Sequence, residues 1–117
     1  MSKMQIFHNP RCSKSRQTLE ILAQQGLQPD IIEYLKTPPS VEQLTRILSL
    51  LGFDSARQLM RKGEEAFKQQ NLADPALSET DLINAMHRSP KLIERPIVVH
   101  GEKAVIGRPP QNVMSIL

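Results

Sequence analysis

The single cysteine of this 117-residue chain lies where a reactive thiol is favoured. Cys12 follows a short apolar stretch, precedes a helical pattern, and belongs to the segment His8-Asn9-Pro10-Arg11-Cys12-Ser13-Lys14-Ser15-Arg16. A thiolate at a helix N-terminus faces unpaired backbone N–H groups and the positive end of the helix dipole, which both favour the charged, nucleophilic form. We therefore predict a nucleophile, with a small buried structural cysteine as the alternative.

The residues after Cys12 limit its redox chemistry. A dithiol oxidoreductase would have a second cysteine at the position of Ser15, so a disulfide formed at Cys12 must be resolved by an outside thiol. A phosphatase-type anion loop would need an arginine where the chain has Thr18, which makes that class a weak match. The pattern favours a lone thiol that works with an external one.

His8 and Ser15 flank the cysteine and are candidates for supporting its thiolate. An imidazolium at His8 would favour the thiolate if it approached the sulfur, and Ser15 could cap the helix or donate a hydrogen bond. A hydrogen-bonded histidine at a strand end is the alternative for His8. No metal site is expected, because the two other histidines, His87 and His100, lie in distant segments.

Two arginines in the C-terminal part are candidate anion ligands. Arg95 precedes a predicted strand and Arg108 follows a predicted hairpin, so both lie at strand ends. An arginine fork binds a tetrahedral oxyanion better than lysine does. Arg61 is explained from the sequence as a charge in the last turn of a short helix, where it complements the helix dipole.

Composition excludes several classes of protein. The net charge of +3 comes from dispersed basic residues without interleaved aromatic residues, which argues against nucleic-acid binding and favours a small anion. One cysteine cannot form an internal disulfide, which excludes a small secreted protein stabilised by disulfides. The N-terminal residues lack the apolar core of a signal peptide, and no apolar run could span a membrane. We expect a cytoplasmic monomer with no membrane partner.

The order of predicted elements indicates an α/β fold. Strands at 4–7 and 30–34 flank a helix that begins at Ser13, which predicts a right-handed parallel βαβ unit whose ligands bind at the carboxyl end of the first strand. The middle of the chain is helical. The predicted starts of its helices are Ser40, Ser55, Glu64 and Ser78.

The last part of the chain returns to strands. Strands at 96–99 and 104–106 form a hairpin around Gly101, and a final helix follows. The whole order predicts a thioredoxin-like (glutaredoxin-like) fold with a four-stranded mixed sheet. We expect this fold to form a single domain over 1–117, with a helical insertion at about 38–92.

Four ordered motifs extend over essentially the whole chain. They are His8-Asn9-Pro10-Arg11-Cys12 with Ser15-Arg16, then Ala56-Arg57-Gln58-Leu59-Met60-Arg61, then Glu94-Arg95-Pro96-Ile97-Val98-Val99, then Gly107-Arg108-Pro109. These motifs resemble the ArsC family of glutaredoxin-dependent arsenate reductases. Within that family the sequence is similar to the short, YfgD-type branch.

The resemblance implies a mechanism as well as a thioredoxin-like fold. It implies that the Cys12 thiolate attacks arsenate and that His8 and Ser15 support the thiolate. The implied ligands of the oxyanion and of the arsenic intermediates are Arg61, Arg95 and Arg108. Glutathione, as co-substrate, would join the arsenic on Cys12, and glutaredoxin would reduce the mixed disulfide left after arsenite forms. No bound cofactor is implied.

Two other functions stay open from the sequence. A non-catalytic, redox-responsive regulator of the Spx-like kind, which binds RNA polymerase, shares this fold but typically has a second cysteine where this chain has Ser15. A glutathione-dependent reductase of another substrate is the second. Ser13-Lys14 favours it, because better-studied arsenate reductases usually have Gly-Thr there, with a more flexible backbone.

Overall fold

The computed structural model describes residues 4–117, which divide into two compact units. The sheet unit comprises residues 4–37 and 95–117, and the helical unit comprises Pro38–Glu94. Within the described part of the chain, no helix is both long and apolar enough to cross a membrane. The expectation of a single domain over 1–117 stays a prediction.

The sheet unit has a βαβ segment followed by a hairpin. Its elements are β1 (Met4–His8), α1 (Ser13–Gln24), β2 (Asp30–Glu33), β3 (Ile97–His100), β4 (Lys103–Ile106) and a 3-10 helix at Pro110–Ile116. The strand order is β2-β1-β3-β4, with β1 parallel to β2 and antiparallel to β3, and β3 antiparallel to β4. The predicted four-stranded mixed sheet is therefore confirmed, whereas the final helix is of the 3-10 type.

The core of the sheet unit fixes α1 against the two central strands. Ile6 of β1, Leu22 of α1 and Val98 of β3 are completely buried together with Val113 of the 3-10 helix. Removal of these apolar side chains from water is the main force that holds the elements together. The four residues between β1 and α1, which include Cys12, are thereby held at both ends.

The predicted hairpin is confirmed, but its loop is two residues shorter than the predicted residues 100–103. His100 pairs with Lys103, so the connection consists of Gly101 and Glu102. Gly101 has a φ of 63°, a left-handed conformation that glycine adopts without a steric penalty. The hairpin thus directs the chain back along β3 and ends the second strand near Arg95.

The helical unit contains short helices, most of which begin at capping serines. Its elements are α2 (Val41–Leu51), a 3-10 helix at Ala56–Leu59, α3 (Glu65–Gln69), α4 (Glu79–Arg88) and a 3-10 helix at Pro90–Leu92. Ser40, Ser55 and Ser78 each form a capping box, in which the serine and a side chain three residues later satisfy each other's backbone N–H groups. The predicted helix starts at these serines are confirmed.

Candidate active site

Cys12 is the N-cap residue of α1, so its predicted position at a helix start is confirmed. Its N–H donates to the carbonyl of Asn9 at 3.0 Å, and its own carbonyl accepts the N–H of Arg16 at 3.0 Å. The residue is 8% exposed, and the first turn of α1 contains no acidic residue. The thiol therefore lies at the positive end of a 12-residue helix, an environment that stabilises a negative charge.

A guanidinium group lies beside the sulfur. Arg108 donates from Nη2 to Sγ of Cys12 at 3.6 Å. Its Nε donates to the backbone carbonyl of Arg95 at 2.8 Å, which fixes the orientation of the planar group. The structure thus brings together Cys12 and Arg108, and it places the backbone of Arg95 next to them. Their roles in anion binding stay predictions.

His8 and Ser15 form a buried pair behind the cysteine loop. Nδ1 of His8 lies 2.6 Å from Oγ of Ser15, and both residues are buried. Oγ of Ser15 also accepts the backbone N–H of Asn9 at 3.1 Å. The two side chains therefore connect the end of β1, the start of the loop and the first turn of α1. This connection limits the movement of the backbone that carries Cys12.

The charge state of His8 follows from its burial. Desolvation lowers the pKa of His8 below its ordinary value of 6.5, because the positive imidazolium is costly to remove from water. Glu33 acts in the opposite direction and Arg16 adds to the lowering. The neutral imidazole is therefore favoured. An imidazolium directed at the sulfur, which the sequence left open, is disfavoured by this environment.

Two further interactions fix the loop, and sequence reasoning missed both. Nη1 of Arg16 donates to the carbonyl of Pro10 at 2.8 Å, and the N–H of Arg11 donates to Oδ1 of Asn9 at 3.0 Å. The Asn-Pro pair was a signal for a turn. Nothing in the spacing indicated that Arg16 would hold a loop carbonyl.

The position of Arg108 depends on a close approach of the residue before it. An added Cβ at Gly107 would lie 2.5 Å from Oγ1 of Thr18 and 2.9 Å from Cγ of Pro96. The N–H of Gly107 donates to the carbonyl of Pro96 at 2.9 Å. Only glycine fits between these groups without displacement. Gly107 therefore helps to place Arg108, a role that its sequence motif alone does not indicate.

Arg61 lies in the helical unit and forms two ion pairs. Its Nη1 lies 3.2 Å from Oε1 of Glu94 and its Nε lies 3.2 Å from Oε1 of Glu64. The expectation that it occupies the last turn of a short helix is wrong: the 3-10 helix ends at Leu59, because Met60 leaves the helix and pairs with Ile93. Helix-dipole complementarity therefore does not account for this arginine.

A parallel βαβ unit with a thiol at the start of its helix and a hairpin on the other side of β1 defines a thioredoxin-like protein, as the sequence predicts. The model of the ArsC family matches residues 7–116. The chain is 52% identical to the protein YfgD of Escherichia coli (strain K12) over 115 residues. These aligned residues are 98% of this chain and 97% of YfgD. The chain therefore belongs to the ArsC family.

Other relatives are also similar to this chain over nearly its full length. An arsenate reductase of Haemophilus influenzae is 49% identical over 112 residues, which is 96% of this chain and 97% of that protein. The solved structure of an arsenate reductase from Vibrio cholerae has a TM-score of 0.96 and 51% identity, with 98% of each chain covered. These similarities confirm the family resemblance and the fold that the sequence predicts.

Proposed function

We propose that this protein reduces arsenate to arsenite with Cys12 as the nucleophile. The observation that carries the proposal is the 3.6 Å contact between Sγ of Cys12 and the guanidinium of Arg108 at the N-terminus of α1. This arrangement combines a nucleophile with a donor for a tetrahedral oxyanion. The relatives that are named arsenate reductases support arsenate as that oxyanion.

The arginines supply the charge that the reaction needs. Arsenate and a thiolate are both negative, so a guanidinium between them offsets their repulsion as the sulfur approaches. Arg108 is already oriented by Arg95, whose own side chain we assign to the same oxyanion. We assign Arg61 as a third ligand on the family resemblance alone. Its two ion pairs would hold the guanidinium in one orientation.

The reaction needs two thiols, and the chain supplies one. Arsenate and two thiols give arsenite, one disulfide and water; two sulfurs lose one electron each, and arsenic gains both. We assign the second thiol to glutathione, which first joins the arsenic held on Cys12. The product is a mixed disulfide between glutathione and Cys12, and we assign its reduction to glutaredoxin. No bound cofactor is needed.

His8 and Ser15 act in this proposal as positioning residues. Their hydrogen bond at 2.6 Å and the bond from Asn9 hold the loop so that Sγ stays near Arg108. Ser15 stands where a two-cysteine regulator would have its second thiol, which supports a one-thiol enzyme. We also propose that the protein acts as a monomer in the reducing cytoplasm, where Cys12 stays a thiol.

A coupled assay tests the proposal. The purified protein is supplied with arsenate, glutathione, glutaredoxin, glutathione reductase and NADPH, and NADPH loss is followed. We expect arsenate-dependent NADPH oxidation that is abolished by Cys12→Ser and absent when phosphate replaces arsenate. No arsenate-dependent oxidation by the wild-type protein would contradict the proposal. A glutathione adduct on Cys12 without arsenate turnover would instead indicate another substrate.

A further inference from the structure

A cavity of about 190 Å³ adjoins the loop that carries the nucleophile. Residues 8–11 line it together with Glu33, Leu35 and Lys36. It lies where the parallel strands β1 and β2 end, which is the edge at which α/β sheets bind ligands. The cavity belongs entirely to the sheet unit, as does Cys12.

One turn separates this cavity from the reactive sulfur. The hydrogen bond from the N–H of Cys12 to the carbonyl of Asn9 closes a four-residue turn. The Cα atoms at the two ends of such a turn lie within about 7 Å of each other. Asn9 lines the cavity, so a small molecule held there needs to extend by only a few bonds to reach Sγ.

The charges of the lining select a carboxylate. Arg11 and Lys36 are cationic and Glu33 is anionic, while burial favours neutral His8. Lys36 and Glu33 form an ion pair at 3.6 Å, with side chains 78% and 41% exposed, so the pair is weak and can exchange for a ligand. One positive charge is left in excess. The carboxylate of Glu33 suits an ammonium group on the same ligand.

The volume of the cavity limits the size of what it holds. Pockets for drug-sized ligands measure about 300–1,000 Å³, and this cavity is smaller. The cavity can therefore hold only one end of a ligand, such as an amino-acid group with its carboxylate and ammonium. Leu35, which is 40% exposed, provides an apolar surface for the methylene groups of such an end.

We propose that this cavity is the binding site of the outside thiol, which it recognises by a carboxylate held between Arg11 and Lys36. The proposal rests on the proposed function, because that function requires a second thiol from solution. Glutathione, with two carboxylates and one ammonium group, matches this pattern of charge. The cavity holds the charged end, and the sulfur extends past the turn to Cys12.

A disulfide exchange reaction tests the site without arsenate. Cys12 is first converted to its mixed disulfide with thionitrobenzoate. An added thiolate then forms a bond to Sγ, and coloured thionitrobenzoate leaves with the electron pair of the broken S–S bond. The rate constants of 3-mercaptopropionate and 2-mercaptoethanol are compared at equal thiolate concentrations. Their ratio measures the preference for a carboxylate.

Single neutral variants locate the source of that preference. We expect Lys36→Gln to lower the ratio by roughly threefold and Glu33→Gln to raise it, in line with the strength of exposed charge pairs. Lys14→Gln is the matched control: it removes the same charge two residues from Cys12, on an exposed side chain outside the cavity lining. It should leave the ratio nearly unchanged.

The outcomes separate this proposal from the proposed function. If Lys36→Gln and Lys14→Gln change the ratio equally, or if neither Lys36→Gln nor Glu33→Gln changes it, the cavity is not the thiol site, even where arsenate turnover is normal. If the ratio responds as expected and the coupled assay detects no arsenate turnover, the thiol site stands and arsenate is the wrong substrate.

Discussion

Arg108 donates one guanidinium N–H to the carbonyl of Arg95 at 2.8 Å and another to Sγ of Cys12 at 3.6 Å. The first bond orients the second, because the guanidinium is planar and its donors have a fixed geometry. A permanent positive charge thereby lies next to the sulfur. The same group is in place to bind an oxyanion that approaches the thiol.

Replacement of Arg108 by lysine keeps the charge and removes this geometry. A single ammonium group cannot reproduce the fork that contacts both the carbonyl of Arg95 and Sγ of Cys12. We expect Arg108→Lys to lower arsenate kcat/KM by about 10- to 100-fold, which is less than the roughly 100- to 1,000-fold typical of a removed transition-state donor because the positive charge is kept. The matched control is Arg46→Lys on the exposed surface of α2, which should retain wild-type kinetics. Equal kinetics for the two variants would exclude a geometric role for Arg108.

Removal of the hydroxyl of Ser15 should destabilise the protein. Ser15→Ala leaves Nδ1 of His8 and the N–H of Asn9 without their partner in a buried environment. An unsatisfied buried polar group costs about 1–3 kcal/mol, and we expect the free energy of unfolding to fall by that amount. Chemical denaturation measures it. Ser13→Ala, in the same turn but exposed, should change stability by less than about 0.5 kcal/mol, and equal effects would contradict the prediction.

The stability contributed by His8 should depend on pH. Its pKa is below 6.5 in the folded state because of desolvation, so the unfolded chain binds a proton more readily. The contribution is complete above pH 6.5 and is lost as the pH falls through the lower folded value. We expect the difference in unfolding free energy between wild type and His8→Asn to decrease below pH 6.5. The asparagine places a neutral polar group near the position of Nδ1. A difference that stays constant on acidification would contradict the prediction.

Substitution at Gly107 should disturb Arg108 through the backbone. The new methyl group of Gly107→Ala would lie 2.5 Å from Oγ1 of Thr18, and relief of such a contact typically costs about 1–3 kcal/mol. We expect lower stability and slower alkylation of Cys12 by iodoacetate.

A second variant and a control make the Gly107 prediction specific. Thr18→Ala removes the nearest contacting atoms, so the double variant should recover part of the lost stability. Gly63→Ala is the control, since an added Cβ there meets no atom within 4 Å. If Gly107→Ala is as well tolerated as Gly63→Ala, the close approach does not constrain Arg108.

Local patterns in the sequence predict much of the fold. The apolar runs, the capping serines and the glycines predict the order of the elements, and the start of α1 directly after Cys12 follows from the same signals. These features depend on neighbouring residues, so the spacing of residue types is enough to predict them. The order of the strands and helices along the chain likewise predicts the mixed sheet.

The contacts of the candidate site depend on distant parts of the chain. Cys12 and Arg108 are 96 residues apart, and no local pattern encodes their distance. Local patterns predict a helix as far as Arg61, because they do not encode the non-local bridge between Met60 and Ile93 that follows the end of the 3-10 helix at Leu59. The buried bond between His8 and Ser15 likewise requires the packing of β1 on α1.

The proposed reaction requires Cys12 to be the sulfur that carries arsenic and then glutathione. A single-turnover experiment with arsenate and glutathione, without glutaredoxin, tests this claim by mass spectrometry of the intact protein and its peptides. We predict one glutathione on Cys12 per arsenite released, formed only when arsenate is present and absent in Cys12→Ser. Arsenite release by Cys12→Ser at the wild-type rate, or by the wild-type protein without an adduct on Cys12, would show that Cys12 does not carry the arsenic.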